Sequence, residues 1–146
     1  MALEAHGVKL FWSTATASGT GATLSVGELV SFTGPSGAAA IIDVTNLQST
    51  AHEKLQGLPD EGNIGIEYCL TTIYMAATGG QAGLRKSRLA RKKGSFVLKT
   101  GTAINAGDPI RIHGEGYVTT LGLSGAVDDK LAMSATIEIT GKTTID

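Results

Sequence analysis

The residue types that most often carry chemistry are scattered along this 146-residue sequence. The three histidines, His6, His52 and His113, stand alone, and none has a second histidine or Cys69 at the spacing of a metal site. The Gly-Pro-Ser-Gly stretch at 34–37 lacks the spacing of a Gly-x-Ser-x-Gly nucleophile, and no phosphate-binding glycine motif joins a strand to a helix. The sequence therefore predicts a protein that is not an enzyme and uses no metal or cofactor.

Two pairs of adjacent acids are the remaining candidates for a small site. Asp60-Glu61 and Asp128-Asp129 both lie where the sequence predicts turns. Asp128-Asp129 could hold a cation weakly. Because Asp side chains commonly hydrogen-bond the backbone of a turn, turn formation explains both pairs without a ligand.

The most prominent electrostatic feature is a run of cations within 79–93, which we predict to be the one long helix. Thr78 to Gln81 fits a capping box at its start, and Gly94 fits a C-terminal cap. Six of the twelve basic residues lie here: Arg85, Lys86, Arg88, Arg91, Lys92 and Lys93. The simplest interpretation is a solvated helix face; the alternatives are an acidic patch on a neighbouring copy, or nucleic-acid phosphates. A net charge of −1 and few aromatics weigh against nucleic acid.

A long polar connection at 45–62 is the stretch around which the chain is organised. Thr50 to Glu53 fits a capping box, Gly57 a left-handed helix end and Pro59 a stop, so one turn of helix is expected inside a loop. Long loops with their own ordering chemistry are usually functional.

Composition describes one globular domain over residues 1–146. The chain is 42% hydrophobic, with 12 basic and 13 acidic residues, and it has 20 glycines for turns and bulges. Cys69 is alone, so no disulfide within the chain is expected. No apolar run reaches the length of a membrane span, so we expect a soluble cytoplasmic product.

Period-two patterns predict seven or eight strands around this helix. An N-terminal segment, 1–25, has a weak pattern with a short strand at 8–12 that contains Trp12, which we expect in the core or as an interface anchor. Strands at 26–32 and 38–44 are predicted to form a hairpin with Ile42 and Val44 inward. Further strands are predicted at 63–75, 95–99, 108–113, 117–123 and 130–140. The pattern favours an all-β fold with one flanking helix, as a β-sandwich or partly closed barrel.

Extended strings in the sequence resemble the tail tube proteins of long-tailed bacteriophages, within the family that includes the phage lambda tube protein. The resemblance covers the chain from Val26 onward. It rests on Gly34-Pro35-Ser36-Gly37, Ile42-Asp43-Val44-Thr45-Asn46-Leu47, Ser49-Thr50-Ala51, Glu53-Lys54, Gly57-Leu58, Gly116-Tyr117-Val118-Thr119, Leu123-Ser124-Gly125-Ala126-Val127 and Ile137-Glu138-Ile139-Thr140-Gly141.

The resemblance implies a structural virion protein. Its copies would form hexameric rings that stack into a tail tube, assembled in the host cytoplasm, through which double-stranded DNA passes without specific binding. It also implies the tape measure protein, the tail terminator and tail-tip proteins as partners, and no membrane. The loop would project between rings through Asn46, Leu47, Ser49, Thr50, Glu53, Lys54, Leu55, Leu58, Asp60 and Glu61.

A channel for DNA should not grip phosphate, because basic linings become adhesive through counterion release. We therefore expect the basic helix to lie outside the lumen, with Arg85, Arg88, Arg91 and Lys92 as candidates for a subunit contact. Two alternatives stay open. One is the tube of a contractile or secretion-type particle, and the other is a monomeric β-sandwich binding module, which would normally expose a cluster of aromatic rings.

Overall fold

A single antiparallel sheet curls into a half-barrel, as the computed structural model shows for residues 6–14, 24–72, 75, 79–101 and 109–146. Its seven strands follow the order β2-β1-β7-β8-β9-β6-β3, while β4 and β5 form a separate two-stranded sheet. The elements are β1 Lys9–Ser13, β2 Leu24–Ser25, β3 Leu29–Thr33, β4 Ala38–Asp43, β5 Lys54–Asp60, β6 Asn63–Cys69, α1 Gly80–Ala90, β7 Gly94–Lys99, β8 Arg111–Ser124 and β9 Ala132–Ile145. The predicted all-β fold with one helix is confirmed.

The core follows the predicted alternation of β6 and β9. Ile64, Ile66 and Tyr68 of β6 are buried, and so are Met133, Ala135, Ile137 and Ile139 of β9, which pairs with β6 in register. Such alternation places one face of each strand in the core and the other outside it. Leu131 continues the same alternation within the strand predicted at 130–140, but it precedes β9 and is 54% exposed.

Trp12 fastens the helix to the sheet. Its side chain is fully buried, and its indole N–H donates a 3.0 Å hydrogen bond to Ser87 Oγ on α1. A Cβ on Gly83 would lie 3.1 Å from the indole ring, and one on Gly94 would collide with it. The predicted packing of Trp12 in the core is confirmed, and glycines make its close approach to α1 and β7 feasible.

The helix is shorter than the predicted 79–93, and its ends differ from those predicted. Gly79 takes the N-cap position without a side-chain hydrogen bond, and Thr78 lies outside the described residues. Gln81 does not cap the helix; its side-chain amide accepts from Thr71 and donates to the Cys69 carbonyl, which ties α1 to the end of β6. The C-cap is Arg91 with φ 54°, and Gly94 instead begins β7.

Four strand predictions are wrong. The hairpin of 26–32 with 38–44 does not form, because β3 pairs with β6 and β4 pairs with β5. The stretch at 26–32 is interrupted by positive φ angles at Gly27 and Glu28, so that β2 and β3 are separate. The strands predicted at 108–113 and 117–123 are parts of one strand, β8. The glycines inside β8 pack against neighbouring strands and do not form a turn. Asp108 itself is outside the described residues. The strand predicted at 63–75 ends at Cys69.

Replacing Ser87 by alanine tests the fastening of Trp12. The Ser87→Ala variant leaves a buried indole N–H without its acceptor, which should lower the free energy of unfolding by about 1–3 kcal/mol. Chemical denaturation followed by tryptophan fluorescence would measure the loss. Ser134→Ala is the matched control, because Ser134 is exposed on β9 and should change stability by less than about 0.5 kcal/mol. Equal effects of the two substitutions would contradict this assignment.

Candidate assembly surface

A two-stranded arm, residues 38–60, stands apart from the main sheet. Strands β4 and β5 pair antiparallel, and the connection between them spans only residues 44–53. The helical turn predicted inside a 45–62 loop is wrong for a clear reason. Gly57 and Pro59 belong to a strand, where an irregularity in register near Gly57 accommodates them and they do not end a helix.

Local hydrogen bonds order the end of the arm. Thr45 Oγ1 accepts from the Glu53 N–H at 2.9 Å, and the Val44 N–H donates to the Glu53 carbonyl at 2.9 Å. Ser49 Oγ donates to Glu53 Oε2 at 2.8 Å, so the Glu53 carboxylate bonds Ser49 instead of completing a capping box with Thr50. The end of the arm is therefore a shaped loop closed by Thr45, Ser49 and Glu53.

Asp43 adds a second ordering contact at the base of this loop. Its Oδ1 accepts from the Thr45 N–H at 2.9 Å, and hydrogen bonds from the Thr45 side chain and backbone lower the pKa of Asp43 below its usual value. A carboxyl whose pKa is lowered by folding stabilises the fold above its unfolded pKa and loses that contribution as the pH falls. Asp43 is therefore ionised at neutral pH.

The arm joins the sheet through a tight elbow. Gly34 has φ 86° and Gly62 has φ 73°, and a Cβ on either would collide with the backbone of the opposite segment, at Asn63 and Ser36 respectively. Thr143 Oγ1 donates to Glu61 Oε2 at 2.9 Å, and the Ile139 N–H donates to the Gly62 carbonyl at 3.0 Å. Two crossing glycine segments and these bonds to β9 fix the direction in which the arm leaves the sheet.

Apolar side chains of the arm lie open on both of its faces. Ile42 and Leu55 are cross-strand partners on one face and are 51% and 57% exposed. Ile41, on the opposite face beside Gln56, is 63% exposed. Leu47 at the end and Leu58 in β5 are almost fully exposed. The expectation that Ile42 and Val44 point inward is wrong, since Val44 is also exposed.

Basic side chains cover the outer face and the end of α1. Arg88, Arg91 and Lys92 are exposed, Arg85 is half-buried, and Leu89 lies among them at 71% exposure. Lys93 forms a 2.7 Å ion pair with Glu115 of β8, which raises the pKa of Lys93. Gly80, Gln81, Ala82, Gly83, Leu84 and Ser87 form the buried face of the helix.

Another apolar surface lies at the turn between β8 and β9. Leu123, Val127 and Leu131 are exposed around a shallow groove. Cys69 pairs with Ala132 beside this turn, whereas Asn63 pairs with Glu138 beside the elbow. The turn and the arm therefore lie at opposite ends of β6 and β9.

The described residues hold no constellation for catalysis. Within them no three His, Cys, Asp or Glu side chains come together as a metal site, and no helix there has the length and hydrophobicity to cross a membrane. The pairs Asp60-Glu61 and Asp128-Asp129 make turn contacts: Asp60 accepts from the Gly62 N–H, and Asp129 from the Lys130 N–H. The uncovered surfaces are the notable feature of the molecule.

Solved structures of tail tubes share this architecture. The SPP1 tail tube, determined by solid-state NMR and cryo-electron microscopy, matches with a TM-score of 0.70 at 13% identity over 99% of this chain and 79% of that one. The tail of an empty gene transfer agent particle, refined with C6 symmetry, matches with a TM-score of 0.70 at 15% identity over 99% of both chains. The chain has the fold of phage tail tube proteins.

A related fold also occurs in another kind of particle. The baseplate of the anti-feeding prophage, 6-fold symmetrised, matches with a TM-score of 0.62 at 8% identity over 100% of this chain and 96% of that one. No protein-family model and no curated protein sequence matches the chain. At these identities the shared property is the tail tube fold.

The structure brings most of the sequence-predicted assembly residues into one arm. Asn46, Leu47, Thr50, Glu53, Lys54, Leu55, Leu58 and Asp60 are exposed, while Ser49 and Glu61 are half-buried in the contacts described above. Sequence reasoning missed Ile41 and Ile42, because an apolar run before a loop was assigned to the core. Residues 38–44 place small and branched side chains on both faces of the strand. This pattern could have indicated a strand that is uncovered on both sides.

Alanine substitution of Gly62 and of Gly141 distinguishes destabilisation by a steric clash from destabilisation by a positive φ angle. Gly62→Ala should destabilise the protein strongly and loosen the arm, because a Cβ there adds a collision with Ser36 to the cost of a positive φ. Gly141→Ala is the matched control, with φ 79° but open space around it, and should cost only about 1–2 kcal/mol. Thermal unfolding and amide exchange of residues 38–60 would measure both. Equal losses would show that the elbow is not tightly packed.

Proposed function

We propose that this protein is the repeating subunit of a tail tube, located in the tail of a virion. The observation that carries the proposal is the arm, a two-stranded element with apolar residues open on both faces. An isolated two-stranded hairpin is marginally stable in water, so such an element is expected to be covered by other copies. The fold shared with assembled tail tubes supports the same conclusion.

In this proposal six copies form a ring, and rings stack head to tail. The C6 symmetry of the gene transfer agent tail supports the ring number. The genome would pass through the lumen as double-stranded DNA without specific binding, and the tape measure protein, tail terminator and tail-tip proteins would be the partners. Assembly would take place in the host cytoplasm. The work of the protein would be structural, without catalysis.

The arm would make the contact between rings. Its end carries Leu47, and its strands carry Ile42, Leu55 and Leu58 in the open. Burying a half-exposed Ile or Leu side chain contributes about 1 kcal/mol, so several of them supply a sizeable part of an association energy. The tight elbow would preserve the arm's direction before assembly, which reduces the entropy lost on binding.

A tube in a contractile or secretion-type particle is the second candidate. The match to the anti-feeding prophage baseplate favours it, and the arm and helix would serve the same purpose there. A monomeric binding module is disfavoured by the described surface, on which Tyr117 is the only aromatic side chain among the exposed large hydrophobics. A carbohydrate-stacking platform needs several such rings.

Light scattering behind a sizing column, with negative-stain microscopy of the same fractions, tests the proposal. Rings or tubes with a central hole, and a helical reconstruction with six-fold symmetry, are the expected result. A protein that remains monomeric when concentrated, and also when mixed with tail-tip components, would contradict the tube function. Co-purifying sheath or baseplate proteins would instead favour the contractile alternative.

The double variant Ile42→Ser with Leu55→Ser tests the arm itself. The two side chains pair on one face and each is about half buried, so the monomer should lose about 2 kcal/mol of stability and remain folded, whereas tube formation should fail. Sedimentation of polymer and thermal unfolding of the monomer would measure the two effects. Ile145→Ser, at 68% exposure, is the control and should assemble normally. Normal tubes from the double variant would count against the arm.

A further inference from the structure

The charges of this chain are segregated on two surfaces. The stretch 80–93 holds six Lys and Arg and no acid, half of the basic residues in the protein. The stretch 38–61 holds four carboxylates, Asp43, Glu53, Asp60 and Glu61, against Lys54 alone, so its net charge is −3. Because the whole chain carries only −1, the segregation is a local property of these surfaces and not a consequence of overall charge.

Cations lie close together near the C-terminal end of α1, and their mutual repulsion is unfavourable. Arg88 lies in the last turn of α1, and Arg91 and Lys92 follow it closely in sequence, so three exposed cations of like charge lie near this end of the helix. Arg91 and Lys92 lie beyond the last helical residue, where cations suit the helix dipole, but that contribution is small and screened. Exposed Leu89 lies in their midst. We call this group the helix patch; it consists of Arg88, Leu89, Arg91 and Lys92. It combines three cations with an exposed apolar side chain.

The arm has the complementary composition. Its carboxylates lie beside exposed leucines: Asp43 and Glu53 flank the loop that carries Leu47, and Asp60 lies two residues from Leu58. The bonds of Asp43 to Thr45 and of Glu53 to Ser49 each use one carboxylate oxygen for a described hydrogen bond and fix the position of the negative charge. Oppositely charged surfaces around apolar contacts are typical of interfaces that select partner and register.

We propose that the helix patch of one copy binds the acidic arm of a neighbouring copy. This inference rests on the proposed tube function and names the surface that receives the arm. The arm leaves the sheet at the edge formed by β3 and β6, whereas α1 lies against β1, β2 and β8. The two surfaces are therefore in different parts of the strand order, as a head-to-tail contact between identical copies requires.

A second copy fits the helix patch better than nucleic acid does. Phosphate recognition uses cations with polar or aromatic neighbours, whereas exposed Leu89 needs an apolar partner. The arm supplies carboxylates and leucines together, and it is present at the same concentration as the helix in any assembly of this chain. The contact also draws the cations of α1 into a protein interface and away from the DNA in the lumen.

Paired charge reversal tests the contact in the full-length protein. Arg88→Glu with Lys92→Glu should raise the critical concentration for tube formation about tenfold, and so should Asp43→Lys with Glu53→Lys. The four substitutions combined should restore it to within about threefold of the wild type, because each reversed surface again meets its opposite. The effect of either pair alone should shrink as salt is raised from about 50 mM to 300 mM. Critical concentrations would be measured by sedimentation at both salt concentrations.

Neutral variants control for the local bonds of the reversed residues. Asp43→Asn with Glu53→Gln keeps the acceptor oxygens for Thr45 and Ser49, and should give an intermediate critical concentration with only a small loss of monomer stability. Lys9→Glu, an exposed reversal on β1, should leave assembly unchanged. Circular dichroism and thermal unfolding of each monomer would exclude misfolding as the cause.

The outcomes separate this contact from the tube function. A wild type that fails to polymerise would contradict the proposed function itself. Normal wild-type tubes with no rescue in the combined variant would overturn the helix–arm contact alone. If reversal of Arg88 and Lys92 abolished binding to a 30-bp DNA duplex without changing the critical concentration, the helix patch would be a nucleic-acid surface and the inference would be wrong.

Discussion

The contact between Trp12 and α1 joins the described helix to the curled sheet. Strand β1 carries the indole, α1 supplies Ser87 as its hydrogen-bond acceptor, and glycines at 83 and 94 leave room for the ring. Burying a tryptophan removes about 150–250 Å² from water, on the order of 5 kcal/mol of hydrophobic stabilisation at the usual coefficient. The arm leaves the sheet at the opposite edge, formed by β3 and β6.

The arm illustrates a conflict between monomer stability and assembly. Its apolar residues could have been polar, since they contribute little to the isolated domain. They are instead exposed to solvent on both faces, which is unfavourable for the free energy of the unassembled protein. The elbow resolves part of this conflict, because crossing glycine segments and the Glu61–Thr143 bond limit how far the arm can move before a neighbour covers it. In the proposed tube, assembly would bury a surface whose orientation has already been set by folding.

The period-two pattern of the sequence predicts the buried residues of strands that have one face in the core. The inner residues of β6 and β9 follow directly from alternation, since each strand has one buried side. The arm could not be predicted in the same way, because a strand that is uncovered on both faces has no inside. Gly57 and Pro59 have one meaning at the end of a helix and another at an irregularity in a strand, and only the partner strand β4 decides between them. Likewise Gln81 could cap its own helix or tie it to Thr71, and tertiary contact selects the second.

In the proposed tube, the direction of the assembly would follow from the placement of unlike surfaces on one chain. An interface between identical patches would pair two copies and stop, whereas the contact between a helix patch and an arm leaves one of each unfilled at the ends of any chain of copies. Contacts of this kind within a closed ring would leave no surface unpaired. Contacts of this kind between stacked rings would leave one unpaired surface at each end, so that further rings could be added. In the proposed tube, the acidic arm and the basic helix would give a polymer of identical subunits a head and a tail. The near-neutral total charge prevents long-range repulsion from opposing its growth.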